Sequence, residues 1–328
     1  MRALIKLDKF VIALLIAIVV AKIFPEPAIY QGVINLKNIT DIGITLIFFF
    51  YGLKLNLSSL RQDLSNWKLH ILVQFSSFIL FPALVLPFFP FFAKGDYYLI
   101  ALGFFFMASL PSTVSSSVVM VSIAKGNIPS AIFNASISSL IGIFITPLLM
   151  ALVISADSVE ISSFSHILMK LIIQVLVPVT FGLLLNRFWG KWAYRNANFL
   201  KLFDQTIILL VVYHSFSESF VMGLFENSTV SDIIWIIIGS LIIFFVAYWI
   251  ISFISKKLKF SREDTITATF AGSKKSLVHG TVMAGIIFEG VAGVGVILLP
   301  IMIYHAMQLV LVSWIAQRKA KETMNNEQ

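Results

Sequence analysis

The chain contains no cysteine, which excludes disulfides, thiolate nucleophiles and Cys-ligated zinc. Charge is scarce as well: 12% of its 328 residues are charged, about half the ~25% of a soluble domain. Catalytic and nucleotide signatures are missing. There is no phosphate-binding loop ending in Gly-Lys-Ser/Thr, no paired-His metalloprotease motif, no Gly-x-Ser-x-Gly elbow and no dinucleotide-binding glycine fingerprint. His70, His166, His214, His279 and His305 are scattered over different segments without metal-ligand spacing. An enzyme would need an acid/base pair clustered at one interface, and the sequence shows none. Direct ATP drive would need another subunit.

What fills the chain is apolar sequence. Hydrophobic residues make up 59%, and the mean hydropathy is +0.94. A spanning helix needs about 20 apolar residues, and such tracts satisfy their own backbone in lipid. Ten tracts read as spanning segments, at about 10–24, 38–53, 70–92, 97–124, 128–154, 167–187, 202–221, 231–254, 263–288 and 293–316. The first, KFVIALLIAIVVAKIF, follows Arg2, Lys6 and Lys9 as a signal peptide would. It has no small-x-small cleavage site before Pro25, so an uncleaved helix is expected. The connecting loops are short, and residues 317–328 form a polar tail.

The net charge of +8 does not point to nucleic acid, because the basic residues lie between the apolar tracts. Ten segments put both termini on one side. Of the 24 Lys and Arg residues, eighteen fall on that side, including Arg61, Lys68, Arg187 and Arg262. Only Lys37 and Lys94 fall on the other. This asymmetry predicts cytoplasmic termini, with the chain in a bacterial inner membrane. Lys22 and Lys170 lie near segment ends, where their ammonium groups snorkel outward. Lys274 and Lys275 lie about ten residues beyond Arg262, roughly 15 Å along a helix, too deep for that explanation.

Five segments plus five, with five odd, suggest two inverted repeats, a plan common among secondary transporters. The expected division is 1–154, 155–316 and the tail 317–328. Tyr51 follows Asp41, and Tyr213 follows Asp204, by about three turns. Segments five and ten each hold a proline, Pro147 and Pro300.

Two segments carry polar interruptions. Segment four reads FFFMASLPSTVSSSVVMVSIAKGN. Pro111 removes a backbone donor, and Ser112, Thr113, Ser115, Ser116 and Ser117 crowd behind it. Such a break persists in lipid only where it lines a cavity or is buried in protein. The half-helix after it would aim its N–H groups at the midplane. Asn134 and Ser138 in segment five stand ready as further polar groups. Segment nine contains FAGSKKSLVHG without a proline. There Gly272, Ser276, Gly280 and Ala284 recur as a small-residue stripe, and Lys275, His279 and Met283 share a neighbouring face. A lysine at such depth should face carbonyls, a carboxylate or a polar interior, which makes Ser273, Lys274, Lys275 and His279 site candidates. In segment seven His214 and Glu218, four apart, are candidates for an ion pair or a proton relay.

FFFYGLKLNL in segment two, LPSTVSSSVVMVSIAKGNIPSAIFNASISSLIGIFITPLLM across segments four and five, and FAGSKKSLVHG in segment nine resemble the bile acid:sodium symporter family. The resemblance covers nearly the whole chain and is nearest the subgroup of solute carrier family ten member seven and its bacterial relatives. It implies an all-α polytopic membrane protein of ten helices in two inverted five-helix repeats. Helices four and nine would be discontinuous and would cross near the midplane. Helices one, two, six and seven would form a panel that moves against the rest. It also implies a small organic anion as substrate, and sodium or a proton as coupling ion with no other cofactor.

The family's sodium ligands are not where the resemblance would put them. A glutamate and a glutamine of sodium-coupled members fall at Phe270 and Lys274, and an asparagine at Lys275. A serine–asparagine pair falls at Ser117 and Val118, and two hydroxyls at Ala131 and Ala135. The expectation is therefore a transporter in which the Lys274 ammonium stands at a sodium position and donates to unwound carbonyls. Lys275 and the half-helix N-terminus would favour an anionic substrate. The alternative is a non-transporting regulator or scaffold on the same fold, since the member-seven subgroup is associated with calcium homeostasis.

Overall fold

A computed structural model describes residues 9–30, 32, 35–54, 66–92, 95–113, 115–154, 169, 172–226 and 229–326. Arg2, Lys6, Arg61, Lys94, His166 and Lys170, and the side chain of Ser115, lie outside what it describes. All regular structure among the described residues is helical. Seven helices among the described residues are long and apolar enough to cross a membrane. They are α2 (Leu36–Lys54), α3 (Trp67–Phe92), α6 (Ile128–Ala151), α7 (Ile172–Arg195), α8 (Ala197–Val221), α9 (Val230–Lys257) and α12 (Val294–Asn326, apolar over Val294–Lys321).

The other three expected segments differ for visible reasons. The first, α1 (Lys9–Ile23), matches the expected 10–24 closely, and its 15 described residues fall short of membrane length. Segment four is split into α4 (Tyr98–Ser109) and α5 (Ser115–Ile123). Segment nine is split into α10 (Arg262–Gly272) and α11 (Leu277–Ile287). The second split overturns the continuous small-residue stripe. Gly272 ends one helix, Ser276 is non-helical and Gly280 belongs to the next helix. For the same reason Lys275 shares no helical face with His279 or Met283.

The chain divides into two compact units. One comprises Met1–Leu55, Ala151–Thr229 and Val278–Leu298, and the other Asn56–Met150, Val230–Leu277 and Leu299–Gln328. They interleave along the sequence instead of following a boundary at 154. A repeat is a symmetry relation and a compact unit is a set of contacts, so the two divisions answer different questions.

The first unit holds α1, α2, α7 and α8. Its tightest crossing joins α2 to α7 at a pair of facing glycines. A methyl group on Gly52 would sit 2.1 Å from Val179 O, and one on Gly182 would sit 2.1 Å from Phe49 O. Backbone approaches backbone here because neither residue has a side chain. Phe49, Phe50, Phe181 and Phe203 pack around the crossing with ring centroids 5.6–5.9 Å apart. Asn186 Nδ2 donates to Leu53 O (2.6 Å), tying α7 to the last described turn of α2.

The second unit is built on α3, α9 and α10, whose Leu69, Leu72, Val73, Ile251, Ala268 and Ala271 form a buried apolar cluster. Ser261 caps α10 by accepting the Asp264 N–H (3.1 Å). Asn127, between α5 and α6, anchors the same helix start. Its Nδ2 donates to Asp264 Oδ1 (2.8 Å), and its carbonyl accepts from Thr267 Oγ1 (3.1 Å). Ser76–Leu80 within α3 is a π-helical turn, a local widening that recurs at functional sites.

Candidate functional site at two helix breaks

The first break follows from Pro111. A residue before proline is pushed out of helical geometry, and Leu110 is extended (φ −75°, ψ 152°). Helix α4 therefore stops at Ser109 with its last carbonyls unpaired by the ladder. Two of them find other donors. Met107 O accepts the Leu110 N–H (3.3 Å) and Ser109 O accepts Thr146 Oγ1 (2.7 Å). Ser112 N–H, which a continuous helix would give to Ala108 O, goes to Ser138 Oγ (3.0 Å). Ala108 O and Leu110 O are left for another donor.

The second break, Ser273–Ser276, has no proline and is held by groups distant in sequence. Gln308 clamps Lys275 like a second peptide, its Oε1 accepting Lys275 N–H (2.8 Å) and its Nε2 donating to Lys275 O (2.8 Å). Tyr304 Oη donates to Ser273 O (2.7 Å). Ser112 Oγ donates to Ala271 O, and Ser276 N–H to Pro111 O (2.9 Å). These last two bonds bring the breaks together. Non-helical backbone inside a membrane protein needs such internal partners, and Pro111, Ser112, Gly272, Ser273, Lys274, Lys275 and Ser276 all belong to this joint.

Both lysines are fully buried, with 0% exposure, and do different things. Lys275 Nζ donates to Ser77 O (2.7 Å), Ala108 O (2.7 Å) and Leu110 O (2.8 Å), and lies 4.3 Å from the centre of the Phe81 ring. Three acceptors call for three N–H groups, which only the ammonium form supplies. Lys274 Nζ has one hydrogen bond among the described residues, to Ser116 Oγ (3.0 Å). Ser116 donates to Thr113 Oγ1 (2.9 Å), which shares a 2.7 Å bond with Ser117 Oγ. The sequence expectation gave carbonyl donation to Lys274, but the structure gives it to Lys275. The reason is the clamp on the Lys275 backbone, which fixes the direction of that side chain. Committed to carbonyls, Lys275 offers no free donor to a substrate anion.

The remaining candidates divide. Asn134 turns toward α3, where it accepts from Gln74 Nε2 (3.2 Å) and pairs through Nδ2 with His70 Nδ1 (2.9 Å). Gln74 Oε1 is buried without a hydrogen-bond partner among the described residues. His279 belongs to the first unit, edge-on to Tyr51 (5.7 Å) and Phe48 (6.5 Å). His214 and Glu218 also lie in the first unit, on the wall of a cavity of about 540 Å³ with Lys37, Asp41 and Glu289. Among the described residues no ion-pair contact within 4 Å joins His214 to Glu218. Both are half-buried and line the same cavity. The pairs formed there are Lys37–Glu289 (2.7 Å) and Lys37–Asp41 (3.3 Å). Among the described residues no group of three or more His, Cys, Asp or Glu side chains is arranged to hold a metal ion.

Sequence reasoning missed Ser77, Pro82, Thr146, Tyr304 and Gln308. Gln308 carried a signal, since an uncharged amide in an apolar segment needs partners. Pro82 did as well, since it removes a donor inside a long apolar tract.

The model of the SBF-like CPA transporter family matches residues 8–321. "Uncharacterized protein PA2026" of Pseudomonas aeruginosa is 36% identical over 314 residues, 96% of this chain and 93% of that protein. "Putative symporter YfeH" of Escherichia coli K12 is 34% identical over 317 residues, covering 97% and 94%. "Sodium/bile acid cotransporter 7-B" of Xenopus laevis is 30% identical over 312 residues, covering 92% and 88%. Together with the seven membrane-length helices, these matches make the protein an integral membrane protein of a transporter family. The chain belongs to the SBF-like CPA transporter family, the grouping toward which its resemblance to bile acid:sodium symporters pointed.

Proposed function

We propose that the protein is a secondary active transporter of a small organic anion, working by alternating access without the family's usual sodium sites. In this reading ten segments form two inverted five-helix repeats, 1–154 and 155–316, in a bacterial inner membrane with both termini cytoplasmic. The distribution of Lys and Arg supports that orientation. The names of two relatives, a symporter and a sodium/bile acid cotransporter, support coupled transport. The observation that carries the reading is the buried Lys274 ammonium. It sits at a joint of two broken helices with no carboxylate partner among the described residues and a single hydroxyl as acceptor. Two of its three N–H groups are available to an anionic group of a substrate, and the Ser116–Thr113–Ser117 hydroxyls extend the polar surface beside it. A buried amine of this kind is also a proton carrier, so coupling runs on protons through Lys274.

The experiment is uptake or exchange of organic anions in proteoliposomes, with sodium and proton gradients imposed separately. Transport driven by a pH gradient, and lost in K274M, is the expected result. A sodium-dependent current, or K274M transporting normally with unchanged ion dependence, overturns the reading. The tight bolting of the second break by Gln308, Tyr304 and Lys275 favours a second reading, a non-transporting regulator or scaffold in ion homeostasis, calcium included. It predicts no flux and tolerance of substitution at Lys274, Ser112 and Ser116.

A further inference from the structure

The three carbonyls around the Lys275 ammonium are free for reasons that do not involve Lys275. In the π turn of α3, the Phe81 N–H bonds Ser76 O instead of Ser77 O. The next residue that could serve Ser77 O is Pro82, which has no N–H. Ala108 O loses its helical donor because Ser112 N–H turns to Ser138 Oγ. Leu110 lies beyond the helix in extended geometry ahead of Pro111. Two prolines, in different segments, thus leave three carbonyls converging within 2.7–2.8 Å of one point. Ala108 O lies in the last turn of the 12-residue helix α4 and Leu110 O just past it, at the end where the helix dipole is negative. The face of Phe81 adds a π surface that attracts cations. No carboxylate pairs with Lys275 among the described residues, so backbone dipoles and the ring alone compensate its charge.

We propose that Ser77 O, Ala108 O, Leu110 O and the Phe81 ring form a monovalent-cation site that the tethered Lys275 ammonium occupies permanently. Trimming Lys275 then opens the site to a free small ammonium ion. The cage accepts three hydrogen bonds in the arrangement a primary ammonium donates, so methylammonium and ammonium fit it. Choline, which has no N–H, does not. The proposal is independent of the transport reading, because its measurement is stability and not flux. It gives Lys275 a defined role: the joint carries its own cation and holds together without an external one.

The test compares the thermal unfolding midpoint of detergent-solubilised wild type and K275A in methylammonium, ammonium and choline chloride at equal ionic strength. Wild type is expected to unfold at the same temperature in all three. K275A is expected to unfold lower in choline and to recover in a saturable, concentration-dependent way in methylammonium and ammonium. A K275A midpoint equal to wild type in choline, or one that responds equally to all three salts, overturns the proposal. If K275A yields no folded protein in choline, two measurements replace it: its production in methylammonium, and the K275A/P82A variant. The alanine at 82 restores an N–H within reach of Ser77 O, reducing the unpaired carbonyls. Recovery of folded protein by either route supports the cage, and failure of both overturns it.

Discussion

Replacing Gly52 with alanine tests the crossing on which the first unit is built. The new methyl would lie 2.1 Å from Val179 O and 2.9 Å from Leu183 N. Ordinary contact begins at 3.4 Å, so something must move by more than 1 Å. The obstacles are backbone atoms of α7, which no rotamer change can shift. The helices must separate along the crossing and give up contacts among Phe49, Phe181 and their neighbours. Overpacking of this kind costs about 1–3 kcal/mol, and more where backbone must yield. Alanine returns about 1 kcal/mol of helix preference. Because backbone must yield here, the cost lies at or above the top of that range, and a net loss of about 2 kcal/mol follows, which lowers the unfolding midpoint by several degrees. G182A meets the mirror-image obstacle, Phe49 O at 2.1 Å, and should cost as much. The double variant should cost less than the sum, because one separation accommodates both methyls. G285A is the control, since its methyl meets only the flexible tip of Ile44 at 3.3 Å. The assay is thermal unfolding in detergent followed by tryptophan fluorescence. If G52A unfolds with G285A, or additively with G182A, the crossing is looser than described and the reasoning fails.

Two further outcomes follow from the second unit. Q308L removes both partners of the Lys275 peptide. Each buried group left unpaired costs about 1–3 kcal/mol, so Q308L should lower the unfolding midpoint more than Y304F, which loses a single bond to Ser273 O. S261A removes the cap on α10 and should cost about 1 kcal/mol, read as an equally modest fall in midpoint.

How far the sequence speaks depends on how local the cause is. Apolar tract length is local, and the tracts 70–92, 128–154 and 231–254 correspond closely to α3, α6 and α9. The break in segment four is local too. Pro111 sits inside it, and of the hydroxyls behind it Ser112 Oγ reaches Ala271 O at the other break while Thr113, Ser116 and Ser117 bond one another. Segment nine breaks without a proline or a π turn of its own. Its opening is held by Pro111 O, Tyr304 and Gln308, tens to hundreds of residues away. A four-residue spacing of small residues therefore read as one continuous stripe when the chain leaves the helix in the middle of it.

The lysines carry the same lesson one step further. Their depth was legible because counting from Arg262 needs only the helical rise. Which of the two would meet carbonyls was not, since adjacent side chains in irregular backbone have no periodicity to fix their directions. The decision is made by Gln308, which grips the Lys275 peptide, and by Pro82, which frees Ser77 O one helix away. A proline reads in sequence as a lost hydrogen bond within its own segment. Here the carbonyl it strands is repaid by an ammonium from another segment, so the charge at 275 and the missing donor at 82 form one interaction. That dependence gives a direct consequence: P82A should be tolerated better when Lys275 is absent than when it is present, because with lysine in place the restored N–H competes for an acceptor already in use.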